Sequence, residues 1–254
     1  NDFRISPKLL AKYDVTENFG VFAQWSMSYR APTVAELYSN FSNLAHRYAR
    51  RGNDLLEAET GQGIEAGVEY QSGGFTARAT AYHNRYKNFI ADKTINPYTL
   101  PGGATGMLFT QVNLNAAAIS GVELKVRNEF DNGFFVHGSL AYAYGKDKEN
   151  DLTLRTVSPL KSVVGVGYAQ EQWGAELNGL FASGMRDDND VDTFDAPGYG
   201  IFNISGWWEP EQVKGLRVQA GVYNLFDKTY YNAVGVRDIN PNAATATNQP
   251  VAFY

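Results

Sequence analysis

Apolar and polar residues alternate with a period of two along most of this chain. In "FGVFAQWSMSYR" (19–30), Phe19, Val21, Ala23, Trp25 and Met27 share one face, and Gln24, Ser26, Ser28 and Arg30 the other. "GVELKVRNEF" sets Val122, Leu124, Val126 and Phe130 against Glu123, Lys125 and Arg127. "FFVHGSLAYAY" and "LRVQAGVYN" repeat the pattern through Phe134, Val136, Leu140, Tyr142 and Tyr144, and through Leu216, Val218, Ala220 and Val222. Successive side chains of a strand point to opposite faces, so this pattern predicts strands with one apolar and one polar side. A helical pattern occurs only at "APTVAELY", where one or two turns would align Val34, Leu37 and Tyr38.

The pattern predicts ten strands, at 3–13, 19–30, 59–71, 75–90, 109–130, 134–146, 159–168, 173–183, 199–208 and 216–225. Many exceed ten residues, whereas strands of soluble proteins are usually about 5–6 long. Short connections (14–18, 72–74, 131–133, 169–172, 209–215) alternate strictly with long ones (31–58, 91–108, 145–158, 184–198 and the chain after 225). Tight turns therefore gather at one end of the sheet and large loops at the other. Aromatic residues flank the tight end: Tyr13, Tyr70, Phe130, Tyr168 and Trp208 precede the turns, and Phe19, Phe75, Phe134 and Trp173 follow all but the last. Amphipathic rings at one depth are what a membrane–water interface selects. The expected fold is all-β, a transmembrane antiparallel β-barrel. Hydrocarbon offers the backbone no hydrogen-bond partner, so the sheet must close. Ten strands could close by themselves, but a chain that opens within a strand and ends in a loop points to part of a larger barrel.

Composition narrows the function. With 44% hydrophobic and 19% charged residues, the 254-residue chain is a folded one. A net charge of −5 argues against nucleic acid as partner. The absence of cysteine rules out disulfides and thiolate metal sites. No apolar run reaches the roughly 18 residues of a membrane-spanning helix, and no signal peptide opens the chain. The sequence carries neither a paired-histidine metal motif nor a nucleophile elbow, so the expected role is not enzymatic.

One segment breaks the alternation. "SMSYRAPTVAELYSNFSNLAHRYARRGNDLLEAETG" (26–61) holds His46, one of three histidines, with Tyr48 two places on and Arg47, Arg50 and Arg51 around it. In an extended segment His46 and Tyr48 would face one cavity; in a helix only one of them could reach a common ligand. A loop histidine among arginines otherwise faces solvent or hydrogen-bonds locally. Of the other histidines, His137 alternates with Phe134 and Val136 and belongs on the polar side, while the mixed faces around His83 leave it unplaced. Asp188, Asp190 and Asp192 in "RDDNDVDTFD" alternate as calcium-binding oxygens can, but lack the glycine and distal glutamate of an EF loop, so a solvated acidic loop is expected.

"GLRVQAGVYNLFDKTYYN" (215–232) resembles the penultimate strand and loop of TonB-dependent outer-membrane receptors, and "AAAISGVELKVRNEF" resembles a strand of the same family. "YRAP" (Tyr29, Arg30, Ala31, Pro32) and "GNDLLEAETG" (52–61, with Asn53 and Leu56) resemble the FRAP and NPNL boxes of the haem-receptor branch. The second box departs from its pattern at Asp54, where proline is usual, and at Leu55. The resemblance implies that residues 1–254 are the C-terminal portion of a barrel of about 22 strands, lacking the last strand, with the plug domain and the N-terminal strands absent. It implies a Gram-negative outer-membrane receptor that binds haem, free or from a haemophore or haemoglobin, and imports it by TonB-dependent active transport. TonB would engage the missing N-terminal region. Haem is then the transported ligand, with no catalytic cofactor. His46 would ligate the haem iron, with Tyr48 as the other candidate ligand. Arg47, Arg50 and Arg51 would pair with the propionates, since guanidinium suits carboxylate. A ferric siderophore or cobalamin receptor, a passive porin and a soluble β-sheet adhesin or enzyme are the competing readings.

Overall fold

In the computed structural model, residues 4–185 and 194–236 are described, and ten antiparallel strands form one continuous sheet. Their order is β1 (Lys8–Asp14), β2 (Phe19–Arg30), β5 (Glu59–Ser72), β6 (Phe75–Thr99), β7 (Thr105–Glu129), β8 (Phe134–Asp147), β9 (Lys161–Ala169), β10 (Trp173–Ala182), β11 (Tyr199–Trp208) and β12 (Val218–Val222). Neighbours in the sheet are neighbours along the chain, apart from the long segment between β2 and β5. That segment contains a helix, α1 (Val34–Tyr38), and a small hairpin, β3 (Asn40–Asn43) and β4 (Tyr48–Arg51).

The register carries a regular stagger. Phe19 lies level with Tyr70 and Ala77, two residues beyond Phe75. Phe75 lies level with Val136, two beyond Phe134, and Phe134 with Ala175, two beyond Trp173. Each step of two strands therefore shifts the aromatic row by two residues. One residue of rise, about 3.3 Å, per strand spacing of about 4.8 Å tilts the strands by about 35° if that row marks a single depth. This is the tilt of membrane barrels. The rings touch within the row: Tyr70–Phe75 at 5.9 Å, Phe134–Tyr168 at 4.9 Å and Tyr168–Trp173 at 5.3 Å between centroids.

The two faces differ as the alternation predicts. Ile64, Val68, Val122, Leu124, Val136, Val164, Val166, Leu177, Ile204 and Val222 all lie on one face and are all exposed. Among the described residues no large side chain is fully buried. An apolar face this wide without a covering layer has hydrocarbon as its solvent. On the opposite face, side chains lean over glycines of the neighbouring strands: Phe22 over Gly67, Tyr82 over Gly121, His137 over Gly165 and Phe135 over Gly167. Such crowding marks the concave, lumenal side. It carries the ion pairs Lys12–Glu69 (2.9 Å) and Arg78–Glu69, and the His137–Glu176 contact (Nε2 to Oε1, 2.9 Å). His137 thus sits on the polar side as expected. His83 faces outward, level with Ile64 and Ser120.

Several boundaries differ from the sequence expectation. β1 starts at Lys8, after Pro7, which has no N–H for the ladder but whose carbonyl accepts from Met27 N at 2.9 Å. β9 starts at Lys161, after Pro159. β12 is bounded by Gly215 (φ 85°) and Asn224 (φ 52°), both in the left-handed region. The largest correction concerns residues 91–108, expected to be a loop. β6 and β7 run for 25 residues each and turn only at 100–104. Spanning hydrocarbon takes about 9–11 residues, so this hairpin rises far above the membrane. Outside the bilayer neither face needs to be apolar, and the period-two signal fades although the ladder continues.

This orientation predicts an asymmetry between the two faces of the intact protein. Leu124→Arg, at mid-depth on the outward side, should cost about 2–4 kcal/mol in reversible unfolding from lipid vesicles, whereas Thr80→Lys in the lumen should cost far less. Equal losses would invalidate the assignment.

Candidate functional site

The segment between β2 and β5 is a clasped platform. Thr33 caps α1: its hydroxyl accepts from Glu36 N (3.2 Å), and the Glu36 carboxylate accepts from Thr33 N (2.7 Å), a reciprocal capping box. Pro32 precedes this cap and favours the extended approach to it. The Arg30 guanidinium spans both Glu36 oxygens (3.0 and 3.1 Å) and reaches Glu59 (3.4 Å), whose buried carboxylate also accepts from Ile90 N at 3.1 Å. Asn53 N donates to the Glu36 carbonyl (2.8 Å), Asn53 Nδ2 to the Gln111 carbonyl (3.1 Å), and Asn53 Oδ1 accepts from Leu55 N (3.1 Å). Gly52 lies against the end of α1, where an added Cβ would come within 2.6 Å of Leu37 backbone atoms. Leu56 is buried at the base.

The two sequence boxes therefore meet. Arg30 of the first, through Glu36, and Gly52 and Asn53 of the second hold the ends of one loop together. Tyr29 sits apart on the outward face, with Arg4 over its ring at 5.6 Å, and Ala31 is exposed. Glu36, Glu59, Gln111 and Asn113 complete the clasp. Asn113 Nδ2 donates to the carbonyls of Glu57 (3.0 Å) and Asn88 (2.7 Å), tying the loop to the raised hairpin.

The hairpin β3–β4 stands on this platform. β4 runs parallel to β7, pairing Tyr48 with Met107, Ala49 with Leu108 and Arg50 with Phe109. Ala49 is completely buried against Leu100 and Leu108. The Tyr48 ring packs between Phe41 (5.9 Å) and Phe109 (6.0 Å). His46 lies in the turn joining β3 to β4, half-buried, its backbone N held by Asn43 Oδ1 at 3.0 Å. Arg47 follows in a left-handed conformation (φ 53°). His46 and Tyr48 are thus separated by a turn residue and do not share one extended strand. Arg51 donates to the carbonyls of Phe41 (3.0 Å) and Arg50 (3.1 Å) and to Ser42 Oγ (3.0 Å), whereas Arg47 and Arg50 are exposed. The turn thus gathers one imidazole, two exposed guanidiniums and an aromatic wall on one side of the hairpin. Asp188, Asp190 and Asp192 lie outside the described residues.

Partial burial would push the Glu36 carboxyl up, but the hydrogen bonds from Thr33 and Arg30 outweigh it and hold it below its ordinary value of 4.5. A depressed carboxylate contributes stability that is present above pH 4.5 and lost as pH falls through its folded value. Hydrogen-exchange protection of residues 40–51 should therefore drop on acidification below pH 4.5. Arg30→Ala should lower the same protection at neutral pH by about tenfold, roughly 1.4 kcal/mol. Amides of β8–β11 should be unaffected; uniform loss over the sheet would show that the clasp is not a local device.

Comparison with known proteins agrees with the architecture. The family model "TonB dependent receptor-like, beta-barrel" matches residues 1–225. A ferric enterobactin receptor of Pseudomonas aeruginosa is 27% identical over 96% of this chain and 36% of that protein. A probable hemoglobin and hemoglobin-haptoglobin-binding protein of Haemophilus influenzae is 24% identical over 93% of this chain and 26% of that one. Among solved structures, the copper transporter OprC superposes with a TM-score of 0.78 at 22% identity, covering 97% of this chain and 37% of that one. The chain thus spans between about a quarter and two fifths of the length of these proteins. It belongs to the TonB-dependent receptors, a transporter family and not an enzyme family, as part of the β-barrel that these proteins set in the Gram-negative outer membrane.

Proposed function

We propose that residues 1–254 are the C-terminal portion of a receptor that binds haem and imports it by TonB-dependent transport, with the plug and the N-terminal strands supplied by the remainder of the protein. The supporting observation is the clasped platform. It joins the two box-like segments and carries the His46 turn on a hairpin outside the membrane. Met107, the partner of Tyr48, lies eleven residues along β7 from Ala118, which is level with Arg85, ten residues above Phe75 of the aromatic row. That is on the order of 35 Å along the strand. A ligand site this far out suits transfer from a protein donor, haemoglobin or a haemophore, before passage inward. His46 supplies an axial nitrogen to the iron, and Arg47 and Arg50 meet the propionates. Arg51 steadies the hairpin. Relatives named as hemoglobin-binding proteins and as a TonB-dependent heme receptor support the ligand class.

A ferric siderophore is the second reading. It is favoured by the ferric enterobactin receptor relatives and by the exposed Arg47 and Arg50, which suit an anionic chelate as well as a propionate.

Titrating the purified full-length receptor with haem separates these readings. Binding should shift the Soret band, and His46→Ala should weaken it at least tenfold, about 1.4 kcal/mol. If Tyr48→Phe abolishes the shift while His46→Ala leaves it intact, the ligand is Tyr48. Absence of any Soret change, with tight binding of a ferric catecholate or of cobalamin, would overturn the haem reading.

A further inference from the structure

The outward face of β6 changes character abruptly. From Phe75 upward it carries Ala77, Ala79 and Ala81, then His83, Arg85 and Lys87. Arg85 lies ten residues above Phe75, as Tyr29 lies ten above Phe19 and Tyr144 ten above Phe134. Ten residues make about 33 Å of strand, and at the tilt derived above they climb roughly 25 Å, the height of the apolar band of a membrane barrel. Arg85 therefore stands at the depth of the outer lipid headgroups, at the height of the outer aromatic residues.

This cation is positioned and uncompensated. Its Nε donates to His83 Nε2 at 3.1 Å, which makes His83 Nδ1 the protonated nitrogen and donor to Ser120 Oγ at 2.7 Å. The Arg85 bond engages Nε and leaves the two terminal guanidinium nitrogens outside the relay. No carboxylate pairs with Arg85 or Lys87 among the described residues. Lys146, across Ala118 from Arg85, is by contrast paired with Asp151 at 2.6 Å. Two neighbouring positive charges at this depth call for an anion in the leaflet.

Directly below them the outward surface is hollowed. Ala11, Ala23, Ala66 and Ala81 stand side by side on four adjacent strands, with Trp25 and Ile64 rising beside them. The resulting groove holds about 630 Å³, and His83 closes its upper corner. A cationic pair above an apolar trench matches a molecule with a phosphate head and an acyl tail.

We infer that the outward face of β1, β2, β5 and β6 is a specific seat for a phosphorylated glycolipid of the outer leaflet. Arg85 and Lys87 hold its phosphate, the His83–Ser120 relay orients Arg85, and one acyl chain lies in the alanine trench. The site is on the opposite side of the wall from the lumen, so it does not depend on which ligand the receptor transports.

Native mass spectrometry of the purified full-length receptor, with added diphosphoryl lipid A or its dephosphorylated counterpart, tests this. The phosphorylated lipid should be retained at least tenfold better. Arg85→Ala/Lys87→Ala should abolish that preference, and Lys125→Ala in the lumen should not. Ala66→Leu, filling the trench, should weaken both lipids alike, and inorganic phosphate at the same concentration should not compete. Should the double variant fail to fold, Arg85→Gln and a salt titration of the wild type give the same reading. Equal retention of the two lipids, or an unchanged preference in the charge variants, would overturn the proposal.

Discussion

Every peptide N–H and C=O that crosses hydrocarbon must find its partner within the protein, because lipid provides none. This constraint orders the rest of the structure. It accounts for the unbroken antiparallel ladder from β1 to β12, for a stagger of one residue per strand, and for a face of exposed valines, leucines and isoleucines with no layer over it among the described residues. It also explains why the interior is polar. With the hydrophobic contribution taken by lipid contact, the lumenal side is free to carry charge pairs and hydrogen-bonded chains such as His137–Glu176–Asn178–Asn203–Asn224.

Above the membrane the constraint relaxes and the chain is used differently. β6 and β7 continue as a free-standing hairpin, and the segment between β2 and β5 docks on it through side-chain amides and carboxylates. Only small apolar clusters form there, such as Ala49 with Leu100 and Leu108. A loop held by polar contacts is more readily deformed than one with a large core. That property suits the proposed role, in which the surface receives a ligand and then releases it.

Part of the platform was legible in the sequence. The one helical pattern, "APTVAELY", falls on α1, and the boxes at 29–32 and 52–61 could be singled out as a pair; the Thr33–Glu36 cap emerged only with the structure. The docking of Asn53 on Gln111, 58 residues away, has no local signature. The same holds for Glu59, whose burial is decided by Arg30 and by the backbone of β6. For His46 and Tyr48, spacing posed a choice between strand and helix, and the structure takes neither: the left-handed Arg47 separates them.

By itself the sequence determined the crossing strands, the face each presents to lipid, the end at which the turns lie and the lumenal place of His137. These follow from a period of two imposed locally on every strand by the same solvent. Only tertiary structure decided the height of the β6–β7 hairpin, the parallel docking of β4 on β7, the joining of the two boxes and the outward position of His83. Those features depend on register and on contacts between segments far apart in the chain; for the raised hairpin, water on both sides erases the periodicity, and for His83 the small alanines below it leave its face without a strong apolar mark.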